Sequence, residues 1–168
     1  MKFGCLQQEK EKYDMDEKFM TFLNDVPADM QGFVLDLDKL LTEKGCKRVI
    51  KEAKRGFVTS YNSPSTGKVL LNYVFRKSGV KMRIYTAGIA RYESILANFP
   101  DKMKKEIIKA CDCKKLIGDT CSPTCPGGYA FMMDGVEYKK CRSMAFFHEL
   151  NKESSTYIQK LIEAEIAS

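Results

Sequence analysis

The sequence predicts an α+β fold, with an antiparallel meander sheet of about five or six strands and helices packed on one face. Three observations carry that expectation. Apolar residues recur at helical spacing near both ends of the chain, β-forming runs separated by short turns fill the middle, and a tight hairpin signal, Asp134-Gly135, follows an irregular cysteine-bearing stretch. The chain has 168 residues, enough for one domain with a real core. Residues 1–168 are therefore read as a single domain, with 1–12 as a flexible, charged N-terminal arm.

The first helix is expected from Asp14 to Asp25. Met15, Phe19, Phe22, Leu23 and Val26 make one apolar stripe, acidic residues suit its N-terminal end, and Pro27 stops it. A second helix is expected from Asp36 to Lys44, burying Leu37, Leu40 and Leu41, with Gly45 as its left-handed terminator. Asp36 and Asp38 then serve the positive end of that helix dipole. Strands follow at Gly56–Tyr61, Lys68–Arg76 and Val80–Thr86, joined by an Asn62–Gly67 turn and a Lys77-Ser78-Gly79 turn. In the last of these, Met82 and Ile84 alternate with Lys81, Arg83 and Tyr85, so one face is buried and the other solvated.

Helical spacing returns over Ala90–Phe99 and again from Pro100-Asp101, with Met103, Ile107, Ile108 and Cys111 on the apolar side. Tyr129–Met133 and Val136–Lys140 flank the Asp134-Gly135 turn. Arg142–Phe147 reads as a further strand, and Glu153–Ile166 as a terminal helix capped by Asn151.

Composition limits the function classes. Hydrophobic residues are 44% and charged residues 30% of the chain, which is the chemistry of a folded globule and not of a disordered segment. No run approaches the roughly 20 apolar residues of a membrane-spanning helix, and the N-terminus lacks the apolar segment of a secretory signal. A cytoplasmic protein without a membrane partner is the expectation. The net charge of +6 permits anionic partners, but the sequence lacks the dense basic stripe of nucleic-acid binders. A small molecule or a protein is the expected partner, and nucleic acid is disfavoured.

Five of the seven cysteines lie between Cys111 and Cys141. In a reducing compartment such clustering points to metal, catalysis or packing before disulfides. Cys121 and Cys125 lie in one loop, stiffened by Pro123 and followed by Gly127-Gly128. Zinc takes four ligands in a tetrahedron, often two from one turn. The candidate metal set is Cys113, Cys121, Cys125 and Cys141, with Cys111 as an alternative to Cys113. A structural zinc here would organise a segment too long to stay irregular unaided. Competing readings are packed thiols, Cys111 on its helix among them, and redox chemistry. For the latter, Lys139, Lys140 and Arg142 surround Cys141 and would lower its pKa. Cys46 reads as a packed residue and Cys5 as an exposed thiol.

His148 is the only histidine, and its expected role is structural. A pair with Cys141 would need a proximity that the sequence does not supply. Phosphate-binding glycine loops, a nucleophile elbow and a zinc-protease helix are all absent, so no catalytic residue is assigned and an enzyme is disfavoured. Arg76, Arg83 and Arg91 with Tyr73 and Tyr85 are candidates for one sheet face that would receive an anion.

The segment from Cys121-Ser-Pro-Thr-Cys125 through Gly127-Gly-Tyr-Ala-Phe-Met-Met-Asp-Gly-Val-Glu-Tyr-Lys-Lys-Cys-Arg142, with the terminal helix after it, resembles a set of small uncharacterised bacterial cytoplasmic proteins. That resemblance covers about the C-terminal third and implies no activity. The meander and its helices are similar, at the level of fold alone, to YdhG-like and YjbR-like α+β proteins, and fold does not imply function. The expected function is a non-catalytic binding or interaction module whose loop holds structural zinc; the alternatives are a thiol-based redox or metal-sensing protein using Cys121, Cys125 and Cys141, and a small-molecule effector-binding domain.

Overall fold

The computed structural model describes residues 17–168, and the predicted arm, Cys5 and the start of the first helix lie outside them. Helix α1 (Glu17–Asp25) buries Phe19, Phe22 and Leu23, the stripe that its spacing predicts. After a 3₁₀ turn at Ala28–Met30, α2 (Gln31–Glu43) starts earlier than its predicted Asp36, because Val34 joins Leu37 and Leu41 on the buried side. Gly45, at φ +86°, closes α2 as expected, and the Cys46 N–H donates to the Leu41 carbonyl at 2.9 Å. Cys46 is packed at 5% exposure.

The strand that follows is unpredicted: β1 (Lys47–Glu52) pairs along its whole length with β2 (Phe57–Asn62). β3 (Val69–Arg76) and β4 (Gly79–Ile84) continue the meander. The chain then leaves the sheet and returns as β7 (Phe147–Glu149) beside β4, giving five antiparallel strands in the order β1-β2-β3-β4-β7. The predicted strand over Arg142–Phe147 is a turn for most of its length. The Met144 and Ala145 N–H groups both donate to the Cys141 carbonyl, at 3.1 and 2.9 Å, and only Phe147 onward pairs with β4. Between β4 and β7 come a 3₁₀ turn (Ile89–Tyr92), α3 (Glu93–Ala97) and α4 (Asp101–Lys109), then β5 (Tyr129–Met133) and β6 (Val136–Lys140). β5 and β6 form a separate two-stranded sheet. Their turn has positive φ at both Asp134 and Gly135, the conformation that a two-residue hairpin needs. No helix among the described residues is long and apolar enough to cross a membrane.

The register sorts the five-stranded sheet into two faces. Tyr61, Leu71, Tyr73, Met82, Ile84 and His148 stand on one face, each at 1% exposure or less. Phe22 of α1 meets Tyr73 and Phe75 there, at ring-centroid separations of 5.4 and 5.9 Å. Burial of each such side chain contributes roughly 1.5–3 kcal/mol. Tyr73 therefore belongs to the core and not to the solvated face, because it is directly opposite Met82. Burial drives its phenol pKa far up, so it stays neutral.

Asp38 is 1% exposed, and its role differs from the one predicted. With α2 starting at Gln31, Asp38 lies mid-helix facing the sheet. It accepts from Arg48 Nη1 of β1 at 2.9 Å and from the Tyr61 hydroxyl at 2.7 Å. The ion pair thus joins α2 to β1 and β2 beneath the core.

His148 is 1% exposed, and its Nδ1 stands 2.6 Å from Glu106 Oε2 of α4. Burial raises the Glu106 pKa, but the His148 bond, the His148 charge, and Lys81 and Lys102 outweigh it, so the carboxyl titrates below its ordinary value. A depressed carboxyl pKa stabilises the fold above the unfolded value of about 4.3, and the gain is lost as pH falls through the folded one. Glu106→Gln is expected to flatten that part of the loss of melting temperature on acidification, read by thermal unfolding between about pH 6 and pH 3. Equal acid sensitivity in the two proteins would show that other carboxyls carry it. Helix α5 (Lys152–Ala167) closes the chain, its first turn capped by Asn151 Oδ1 accepting from the Ser154 N–H at 2.9 Å.

Candidate functional site

The cysteine segment begins where α4 runs out of helix. α4 ends at Lys109, so Cys111 lies beyond it and is exposed, not packed on its apolar side as expected. Residues 111–113 instead run beside the end of β6. The Cys113 N–H donates to the Lys139 carbonyl and the Cys141 N–H to the Cys111 carbonyl, each at 2.8 Å. Cys113 is the packed thiol, at 5% exposure.

Three basic side chains organise the loop. The Lys140 ammonium, whose side chain is 8% exposed, donates to the Ile108 and Ala110 carbonyls at 2.8 and 3.0 Å and to Asp112 Oδ1 at 2.8 Å. It thereby satisfies carbonyls at the negative end of α4, where a cation is favoured. Arg142 Nε donates to the Gly127 carbonyl at 3.0 Å, and its guanidinium stacks 4.6 Å from the Tyr129 ring centre. Lys115 Nζ reaches the Cys125 carbonyl at 2.5 Å. Between them, Ser122–Cys125 form a tight turn closed by the Cys125 N–H donating to the Ser122 carbonyl at 3.0 Å.

That turn keeps Cys121 near enough to Cys125 to bear on its titration. The Cys125 thiol titrates below its ordinary value. The Gly127 N–H donating to it is the largest cause, and the Cys121 contact and the charges of Lys115 and Arg142 add to it against the opposing effect of desolvation. Thiolate stabilised by a backbone N–H and nearby cations is the nucleophilic form of cysteine. Cys125 is half-buried and Cys121 is exposed, so solutes can reach the pair.

Two of the three cations expected beside Cys141 are aimed elsewhere: Lys140 at the end of α4, Arg142 at Gly127 and Tyr129. The Cys141 thiol lies 3.4 Å from the Ser143 hydroxyl, and His148 faces Glu106 across the core. Among the described residues, all six cysteines are free, and no group of three or more His, Cys, Asp or Glu side chains stands close enough to hold a metal ion. Of the candidate ligands, the fold pairs Cys121 with Cys125, seals Cys113 beneath Gly128 and leaves Cys141 beside Ser143.

No protein-family model, curated protein or solved structure matches the chain. Functional assignment therefore rests on this geometry. Two of its parts escaped the sequence reading, namely the Gly127 N–H and Lys115.

Proposed function

We propose that the protein is a thiol-based redox switch in which Cys125 is the attacking thiol and Cys121 the resolving one. The observation that supports this reading is an accessible pair of cysteines about one tight turn, with Lys115 held at the Cys125 carbonyl and Arg142 at the Gly127 carbonyl, so that two cations stand by Cys125. The Cys125 thiolate attacks one sulfur of a disulfide such as oxidised glutathione, forming a mixed disulfide and releasing the other sulfur as thiolate. Cys121, after losing its proton, then attacks Cys125 Sγ and expels the second partner thiolate. The protein gives up two thiols for one disulfide, and the partner disulfide is reduced to two thiols. The Cys121–Cys125 bond would close a short loop tied to α4 and β6, so oxidation state would be felt at both.

The test is the rate of alkylation by iodoacetamide at each cysteine across pH, read by peptide mass spectrometry. Cys125 is expected to react fastest, with an inflection below the roughly 8.5 of an unperturbed thiol. Lys115→Ala should move that inflection upward. Uniform rates at Cys111, Cys121 and Cys125, all with ordinary inflections, would remove the basis for the switch. Elemental analysis of the same preparation separates the structural-zinc reading, in which Cys113, Cys121, Cys125 and Cys141 would share about one zinc per chain and resist alkylation until it is chelated.

A further inference from the structure

The outward face of the five-stranded sheet gathers basic side chains from three strands. By register it carries Lys47 and Lys51 of β1, Arg76 of β3, Lys81 and Arg83 of β4, and Phe147 of β7. Val49, Val58, Ser60, Asn72 and Val74 fill its centre and are half-buried. Its one carboxylate, Glu149, is taken by Lys102 of α4 at 3.2 Å. Arg83, Lys81 and Arg76 converge on the Phe147 ring, at 4.3, 5.1 and 5.5 Å from its centre. Among the described residues none of these three cations forms an ion pair.

Like charges crowded on one ring repel each other, and cation–π contact returns only about 0.5–1 kcal/mol each at exposed sites. A negatively charged occupant would relieve that repulsion. Small-molecule sites are concave, whereas this surface is the outer side of a five-stranded sheet. Its cations are spread over strands about 4.8 Å apart, so the band is roughly 19 Å across. An extended chain of phosphates matches that spread. The Arg83–Phe147 stack adds a planar platform, and unpaired bases stack on aromatic rings and guanidinium planes. We infer that this face binds single-stranded nucleic acid, with Lys81, Arg76 and the β1 lysines on phosphates and a base against the Arg83–Phe147 stack. This reading stands apart from the thiol pair and survives if that pair proves inert.

The test is fluorescence anisotropy of labelled twelve-residue oligo-dT and oligo-U with the whole protein. With about four phosphates contacted, affinity should fall roughly fifty-fold between 50 and 200 mM salt. Arg76→Ala with Arg83→Ala should weaken binding about ten-fold or more and flatten the salt dependence. Phe147→Leu, which keeps apolar bulk without the ring, should cost about ten-fold. Lys39→Glu, on exposed α2 surface, should do little beyond the long-range effect of its charge. The inference is overturned if the double alanine variant binds like the parent, if Lys39→Glu weakens binding as much, or if polyglutamate competes as well as unlabelled oligonucleotide. The last result would make the face a site for acidic polypeptides.

Discussion

Asp38→Ala is expected to cost about 3–5 kcal/mol and to lower the melting temperature on the order of 10 °C. The carboxylate is 1% exposed and holds both Arg48 of β1 and the Tyr61 hydroxyl of β2. Removing it takes away the counter-charge for a guanidinium at 14% side-chain exposure and the acceptor for a phenol buried in the core. Burial, with the neighbouring Tyr73 and Asp38, raises the Tyr61 pKa well above its ordinary value, so that hydroxyl keeps its proton and its need for an acceptor. Leaving a buried hydrogen-bonding group unsatisfied costs about 1–3 kcal/mol by itself. Asp38→Asn retains an acceptor for Tyr61 and should lose less. Thermal unfolding of the two variants gives the comparison. A loss below about 1 kcal/mol for alanine would show that the pair is no tie between α2 and the sheet.

Gly128→Ala is expected to be nearly as damaging, and at a place that matters for the thiols. A methyl group at Gly128 would stand 2.3 Å from the Lys140 carbonyl oxygen, 2.5 Å from Cys113 Cβ and 2.7 Å from its sulfur. The obstacles are a backbone oxygen and the side chain of packed Cys113, so the 111–113 segment or the end of β6 must shift. Overpacking of this kind costs about 1–3 kcal/mol, occasionally more, and here it also disturbs the contacts through which Lys140 and Arg142 organise the loop. A lower melting temperature together with slower alkylation of Cys125 is the expected pair of results. A variant as stable as the parent would mean that the loop is loosely held.

How far the sequence led depended on whether structure was set by neighbours along the chain or by distant ones. α1, β2 to β4, the β5–β6 hairpin and the Asn151 cap follow from local period and turn chemistry, and all were legible. β1 was not, because Lys47-Arg48-Val49-Ile50-Lys51-Glu52 has only two apolar residues and no clean alternation. It is a strand through its six-residue pairing with β2 and through the reach of Arg48 to Asp38. That same long-range pair hides from local sequence the role of Asp38, which reads as a helix-start acid if α2 begins at Asp36. In the cysteine loop, the sequence showed that something must organise an irregular stretch and that Cys121 and Cys125 share a turn. It could not show that Lys115 and Arg142 take the loop's carbonyls and Lys140 those at the end of α4, since each cation arrives from elsewhere in the fold or across a turn. The expected sheet face of arginines was partly legible: alternation put Arg76 and Arg83 outward, while Tyr73 turned inward with Met82.

The most direct test of the proposed switch is a disulfide map of the protein equilibrated in glutathione buffers from reducing to oxidising. The account predicts loss of about 2 Da, with one linked peptide joining Cys121 to Cys125 and no lasting glutathione adduct, in a transition that dithiothreitol reverses. Cys125→Ser should block it, and Cys121→Ser should stop at a trapped mixed disulfide on Cys125. Adducts that accumulate at both cysteines of the parent, or bonds that form instead at Cys111 or Cys141, would contradict it.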